Sequence, residues 1–134
     1  QMRLKVDQPL MLTRLGEVLL ITDRAAEALA HGTRAIEAAQ MHEARTDEAW
    51  ARLLVARACC AGDLADATET ATKHLNIALR LAEECEALPL LACCYTLLGA
   101  IQARRGNQAT AIEFNACARA IYDKLGMSPL PVSS

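Results

Sequence analysis

The chain has 134 residues and a formal net charge of −2, with no basic stripe, so nucleic acid is not an expected partner. Apolar residues make up 53% of it and aromatics only 3%, which leaves alanine and leucine to fill the core and favours closely packed helices over strands. A chain of this length is one domain by size and needs neither disulfide nor metal as a staple, and no cofactor is expected.

In chain order, turn signals and apolar periodicity predict helices at roughly 10–22, 24–43, 47–61, 64–87, 89–105 and 108–125. Asp23, Gly62-Asp63 and Gly106-Asn107 punctuate them. A glycine there supplies a left-handed closure, and an Asp or Asn is expected to cap the next helix. Thr46-Asp47 ahead of Glu48-Ala49-Trp50 is a further start signal, and Leu125-Gly126 with Pro129 is the last stop. The longest apolar run, Leu88 to Ile101, is broken by Pro89, Thr96 and Gly99 and falls short of the about 18 residues that a bilayer span requires. No secretory signal opens the chain, and its six cysteines then imply a reducing compartment, by default the cytoplasm. The first residue is Gln1 rather than Met, so the chain is expected to be a piece of a longer protein.

The elements repeat. Leu15-Gly16 matches Leu98-Gly99, Ala28 and Ala71 match Ala111, and Ala35 and Ala78 match Ala118. Three helix pairs emerge, near 9–45, 47–87 and 89–126, with a short tail at 127–134. The middle pair carries about five extra residues between Asp63 and Thr70.

In the last pair, Tyr95, Leu98-Gly99, Gly106, Ala111 and Ala118 fall at the spacing of a tetratricopeptide repeat, which this pair resembles. The first pair keeps Leu12, Leu15-Gly16, Ala28 and Ala35, and the second is aligned on Trp50, Leu53, Ala71 and Ala78. Gln102 and Asn115 depart from the motif where it has aromatics, and Asp123 where it often has proline. The resemblance implies an all-α, antiparallel helix-pair solenoid of about three repeats and six helices, acting as a non-catalytic protein-interaction or oligomerisation module. A narrower resemblance is carried by EAW at 48–50, RLAEEC at 80–85 and ARAIYDKLGM at 118–127. These are similar to the C-terminal repeats of bacterial class III adenylate or guanylate cyclases and AAA-ATPase signalling proteins. The alternative they imply is a peptide or small-ligand sensor domain of an ATPase-type transcriptional regulator.

The doublets Cys59-Cys60 and Cys93-Cys94 invite a metal or redox reading. In the repeat register, however, one doublet lies near a helix end and the other near a helix start, roughly 16 Å apart along the axis. Zinc needs each thiolate at about 2.3 Å, so no metal site is expected. The four cysteines, with Cys85 and Cys117, read as packing or surface thiols, with a thiol redox switch as the competing reading. His31, His74 and Phe114 share one repeat position, which reads as semi-buried packing, whereas His42 and the pair Glu83-Glu84 read as solvated. No nucleophile motif, phosphate loop or His-Glu-x-x-His is present, so no catalytic residue is assigned.

In the family the first helix of each pair lines a concave groove. The resemblance places there Thr13, Glu17, Leu20 and Ile21, then Glu48, Ala51, Val55 and Ala58, then Thr96, Ala100, Ala103 and Arg104. This set is small, apolar and nearly uncharged, unlike the Lys/Arg/Asn clamp of chaperone-binding members. The last helix shows a wide apolar arc, and Ile112, Phe114, Cys117, Ile121 and, beyond it, Leu130 are expected to form a face for a homodimer or for other domains of the parent. The expected partner is a protein or peptide, not nucleic acid or a membrane.

Overall fold

The computed structural model describes residues 9–61 and 67–126. Among these residues six helices run in order: α1 (Pro9–Ile21), α2 (Ala25–Met41), α3 (Arg45–Ala61), α4 (Ala67–Glu84), α5 (Leu88–Arg104) and α6 (Gln108–Leu125). Among the described residues there is no strand. Successive helices pack in antiparallel pairs, and α3 and α5 also contact the first helix of the preceding pair. The result is the helix-pair solenoid that the repeats imply, and the expected stop at Pro129, like the turn at Gly62-Asp63, lies outside the described residues.

The four turns between helices within the described residues share one device. At the end of α1 the Arg24 N–H donates to the Leu19 carbonyl at 2.8 Å and the Asp23 N–H to the Leu20 carbonyl at 3.2 Å. The same doubled closure recurs at Glu43-Ala44, Glu86-Ala87 and Gly106-Asn107. Each needs a residue with positive φ, and only the last is glycine: Asp23 has 63°, Glu43 52°, Glu86 54° and Gly106 83°. The turns between pairs therefore match the turns within pairs, although glutamate gives no sequence signal for a left-handed residue.

The caps differ from expectation. Asn107 stands at the N-terminus of α6, but its side chain makes no capping bond there and instead donates from Nδ2 to Gln102 Oε1 at 2.8 Å. Asp23 closes α1 rather than capping α2, and α3 starts at Arg45, so Asp47 and Glu48 sit in its first turn, where the helix dipole favours acids.

Alanine dominates the interior. Ala28, Ala35, Ala49, Ala51, Ala56, Ala71, Ala78, Ala82 and Ala92 are all fully buried or nearly so. Helices carrying methyl groups at their crossings approach more closely than leucine-lined ones, and glycine tightens the first interface further. A Cβ on Gly32 would stand 2.6 Å from Val55 Cγ2, and one on Gly16 would collide with the Leu54 side chain. Leu54 and Val55 of α3 thus occupy gaps left by the two glycines of the first pair.

That packing corrects the register of α3. Arg52 Nη1 lies 3.1 Å from His74 Nδ1 across α3 and α4, and Tyr95 stacks on Phe114 across α5 and α6 with ring centroids 6.1 Å apart. Arg52 is therefore the repeat equivalent of Tyr95 and of Leu12, and fully buried Ala56 is the equivalent of Gly16 and Gly99. Trp50 and Leu53 fall two positions off the places assigned by the motif. Gly16 to Ala28 and Gly99 to Ala111 each span twelve positions while Ala56 to Ala71 spans fifteen, so the middle pair has three extra residues rather than five.

Two stability predictions follow. Gly32→Ala is expected to destabilise by about 1 kcal/mol despite alanine's better helix propensity, because the stiff Val55 cannot swing away, and Val55→Ala in the same chain should recover most of the loss in urea unfolding. Glu86→Gly should raise stability by about 0.5–1 kcal/mol in the same assay, since glycine accepts positive φ without the Cβ penalty.

Candidate functional site

The inner wall of the solenoid follows from which helices touch. Among the described residues α1 contacts α3 and α3 contacts α5, whereas α2, α4 and α6 make no contact with one another. The first helices therefore line the inside of the curve and the second helices splay outside.

On each first helix, the stripe away from the partner helices is the least covered. It carries Glu17, Leu20 and Ile21 on α1, Trp50, Arg57, Cys60 and Ala61 on α3, and Cys93, Thr96, Ala100, Ala103 and Arg104 on α5, all half-buried or exposed. Seven of the twelve residues expected in the groove belong to this stripe. The rest need correction. Ala51, Val55 and Ala58 are buried because they pack against the first pair, Ala51 and Val55 in one cluster with Leu12, Ala35, Ile36 and Ala38. Glu48 is held off the groove by Arg52, whose Nε donates to its Oε2 at 2.8 Å. Thr13 is 2% exposed, and its Oγ1 is buried without a hydrogen-bond partner, so it offers no polar contact to a ligand.

Five residues of the stripe were missed by the sequence reading: correcting α3 by two positions brings in Trp50, Arg57, Cys60 and Ala61, and α5 adds Cys93. The available signal was Ala56, the one small residue on α3 that aligns with Gly16 and Gly99 while keeping Arg52 level with Leu12 and Tyr95. The change alters the character of the groove. An indole and a second guanidinium, from Trp50 and Arg57, join the Arg104 already expected there. Arg104 Nη1 donates to the Cys60 carbonyl at 3.1 Å, tying α5 to α3. No carboxylate of the described residues lies within ion-pair distance of Arg57.

Tyr122 of α6 reaches the floor of this region. Its phenol is pushed up by burial, helped by Cys93 and opposed by hydrogen bonding with Thr96 and by Arg57. Burial also raises the thiols of Cys59 and Cys60, with Arg104 opposing and Cys59 reinforcing the shift at Cys60, and pushes Cys94 up to about 12. Reactive thiols have the opposite shift, so these three are poor nucleophiles and poor redox sensors. Among the described residues no three His, Cys, Asp or Glu side chains come together as a set that could hold a metal ion.

A second polar cluster lies between α3 and α4. Glu48, Arg52 and His74 form a chain of contacts where the third pair has Tyr95 on Phe114. Arginine is always protonated, so the Nδ1 facing it must accept, leaving the His74 proton on Nε2. Burial lowers the His74 pKa, and Arg52 and Lys73 lower it further. His31 in the first pair has its Nδ1 3.0 Å from the Glu27 carbonyl, and all three side chains at this position are half-buried, as packing residues would be.

The face expected on α6 is only partly exposed. Ile112 and Cys117 face solvent, but Phe114 stacks on Tyr95 and Ile121 packs against the core, so neither is free for a partner. Leu130 lies outside the described residues.

With this geometry in place, one solved structure matches over most of its length. The TPR domain of Arabidopsis FLU superposes with a TM-score of 0.76, covering 87% of this chain and 95% of that chain at 15% identity. The fold is that of a tetratricopeptide-repeat domain. At that identity the match speaks for architecture alone, and no protein-family model or curated protein sequence matches the chain. No helix among the described residues is long and apolar enough to cross a membrane.

The His74 contact predicts a pH dependence. A histidine with a folded pKa below its unfolded value near 6.5 binds fewer protons in the native state, so stability is fully present above that value and falls as pH drops below it. His74→Gln, which keeps an acceptor for Arg52, should flatten this component, seen as a smaller loss of melting temperature from pH 7 to 5 than in the parent chain.

Proposed function

We propose that this chain is a protein-interaction module that holds a peptide segment of its partner along the inner wall formed by α1, α3 and α5. The observation that carries the reading is the combination on one stripe of half-buried Trp50 with Arg57 and Arg104. Trp and Arg are among the side chains that most often dominate binding energy at interfaces, Trp through its large rigid area and Arg through its planar fork of donors. A partner segment with an apolar side chain beside Asp or Glu fits this lining: the apolar group against Trp50, the carboxylate toward Arg57. The apolar methyl groups of Ala100 and Ala103 leave room for backbone to approach.

The parent reading extends this. The EAW, RLAEEC and ARAIYDKLGM stretches support a place at the C-terminus of a bacterial signalling protein such as an adenylate cyclase, with this domain receiving a partner rather than performing chemistry. Catalytic residues would then lie in another part of the parent.

The test is site-specific photocrosslinking from position 100 in cells that express the native protein. An adduct with a partner polypeptide is expected. Trp50→Ala should weaken the purified complex by at least about thirtyfold, and Arg57→Glu should weaken it while leaving the melting temperature unchanged. Binding that survives both substitutions, or adducts that form only from positions on α2, α4 and α6, would sink the groove reading.

A further inference from the structure

Met11, Leu15 and Val18 lie on one face of α1 and are 48%, 43% and 58% exposed. Their repeat equivalents on α3 are Ala51, Val55 and Ala58, at 0%, 2% and 4%, and on α5 Cys94, Leu98 and Ile101, at 0%, 2% and 1%. The same face is thus apolar in all three pairs and covered in two of them. What covers it is the second helix of the preceding pair. Ile36 and Ala35 of α2 join Ala51 and Val55 in one cluster, and Leu75, Ala82 and Leu79 of α4 pack with Cys94, Leu98 and Ile101.

The other end of the solenoid differs. The positions with which α2 and α4 cover the next pair, Gly32 and Ile36 or Leu75 and Leu79, are held on α6 by Asn115 and Arg119, both exposed. Among the described residues, α6 therefore ends the stack in polar side chains at these positions, whereas α1 presents a stacking face that no described helix covers.

We propose that the outer face of α1 is a docking surface for one more helix of the α2 and α4 type, supplied by the same polypeptide ahead of this chain. That helix runs antiparallel to α1 and sets small or apolar side chains at three- and four-residue spacing against Met11, Leu15 and Val18. A helix of that type has about the length of α2 and α4, 17 and 18 residues.

A second copy of the chain is a poorer occupant on two counts. Head-to-tail stacking would bury Asn115 and Arg119 of α6 against apolar side chains, leaving their polar groups unpaired. Pairing α1 with α1 would offer roughly 300 Å² of apolar side chain per partner against the about 800 Å² of a stable two-chain interface. A tethered helix avoids the association cost that makes so small a patch insufficient between separate molecules.

The test uses the native polypeptide and this 134-residue chain side by side. A photocrosslinker at Val18 in the native polypeptide should give an adduct of monomer mass that maps to residues ahead of this chain. Val18→Asp should leave the melting temperature of the 134-residue chain within about 2 °C of the parent and lower that of the native polypeptide by at least about 5 °C. Adducts of twice the monomer mass, or equal tolerance of Val18→Asp in both, would overturn the proposal. So would a native polypeptide with no helix-forming sequence ahead of α1.

Discussion

Every first helix after α1 rests on the second helix of the pair before it, and Val55 seated against Gly32 is a close instance. The contact determines how close the first two pairs come, and with Leu54 over Gly16 it fixes the azimuth of α3. Once that azimuth is set, Ala51, Val55 and Ala58 are buried, and Trp50, Arg57 and Cys60 are turned toward the inner wall. The groove is thus a consequence of how the helix stacks rather than an independent feature of its sequence.

The same constraint explains the polar cluster between α3 and α4. Arg52 with His74 and Tyr95 on Phe114 bridge the first and second helices at one level in the second and third pairs, the positions held by Leu12 and His31 in the first. An aromatic stack and a Glu-Arg-His chain fill comparable space, but only the latter carries a histidine that titrates near neutral pH. The middle pair, which also has the three added residues before Ala71, thus adds a contribution of His74 to the pH dependence of stability.

The closures add a second regularity. Four turns use one hydrogen-bonding pattern, with Asp23, Glu43, Glu86 and Gly106 in the left-handed position. These four turns keep the helices they join antiparallel and leave side-chain packing to set the stacking. Acidic residues in that backbone region cost stability, which the alanine-lined crossings offset.

The amino-acid sequence by itself determined six helices in three pairs, because apolar periodicity, glycine closures and the alanine crossings at 28, 35, 71, 78, 111 and 118 are local or repeat-level signals. It also determined that Gly16 and Gly99 mark close approaches, and that His31, His74 and Phe114 share a packing position. The stripe of α3 that faces the groove was decided only by tertiary structure. On a helix rich in small and apolar residues, Trp50, Leu53 and Val55 are equally credible core positions, and a two-residue shift turns the exposed stripe by about half a turn. The polar end at Asn115 and Arg119, and the bare one at Met11, Leu15 and Val18, likewise became readable only when the stack showed which faces a neighbouring pair covers, since an apolar side chain in a sequence carries no mark of what lies against it.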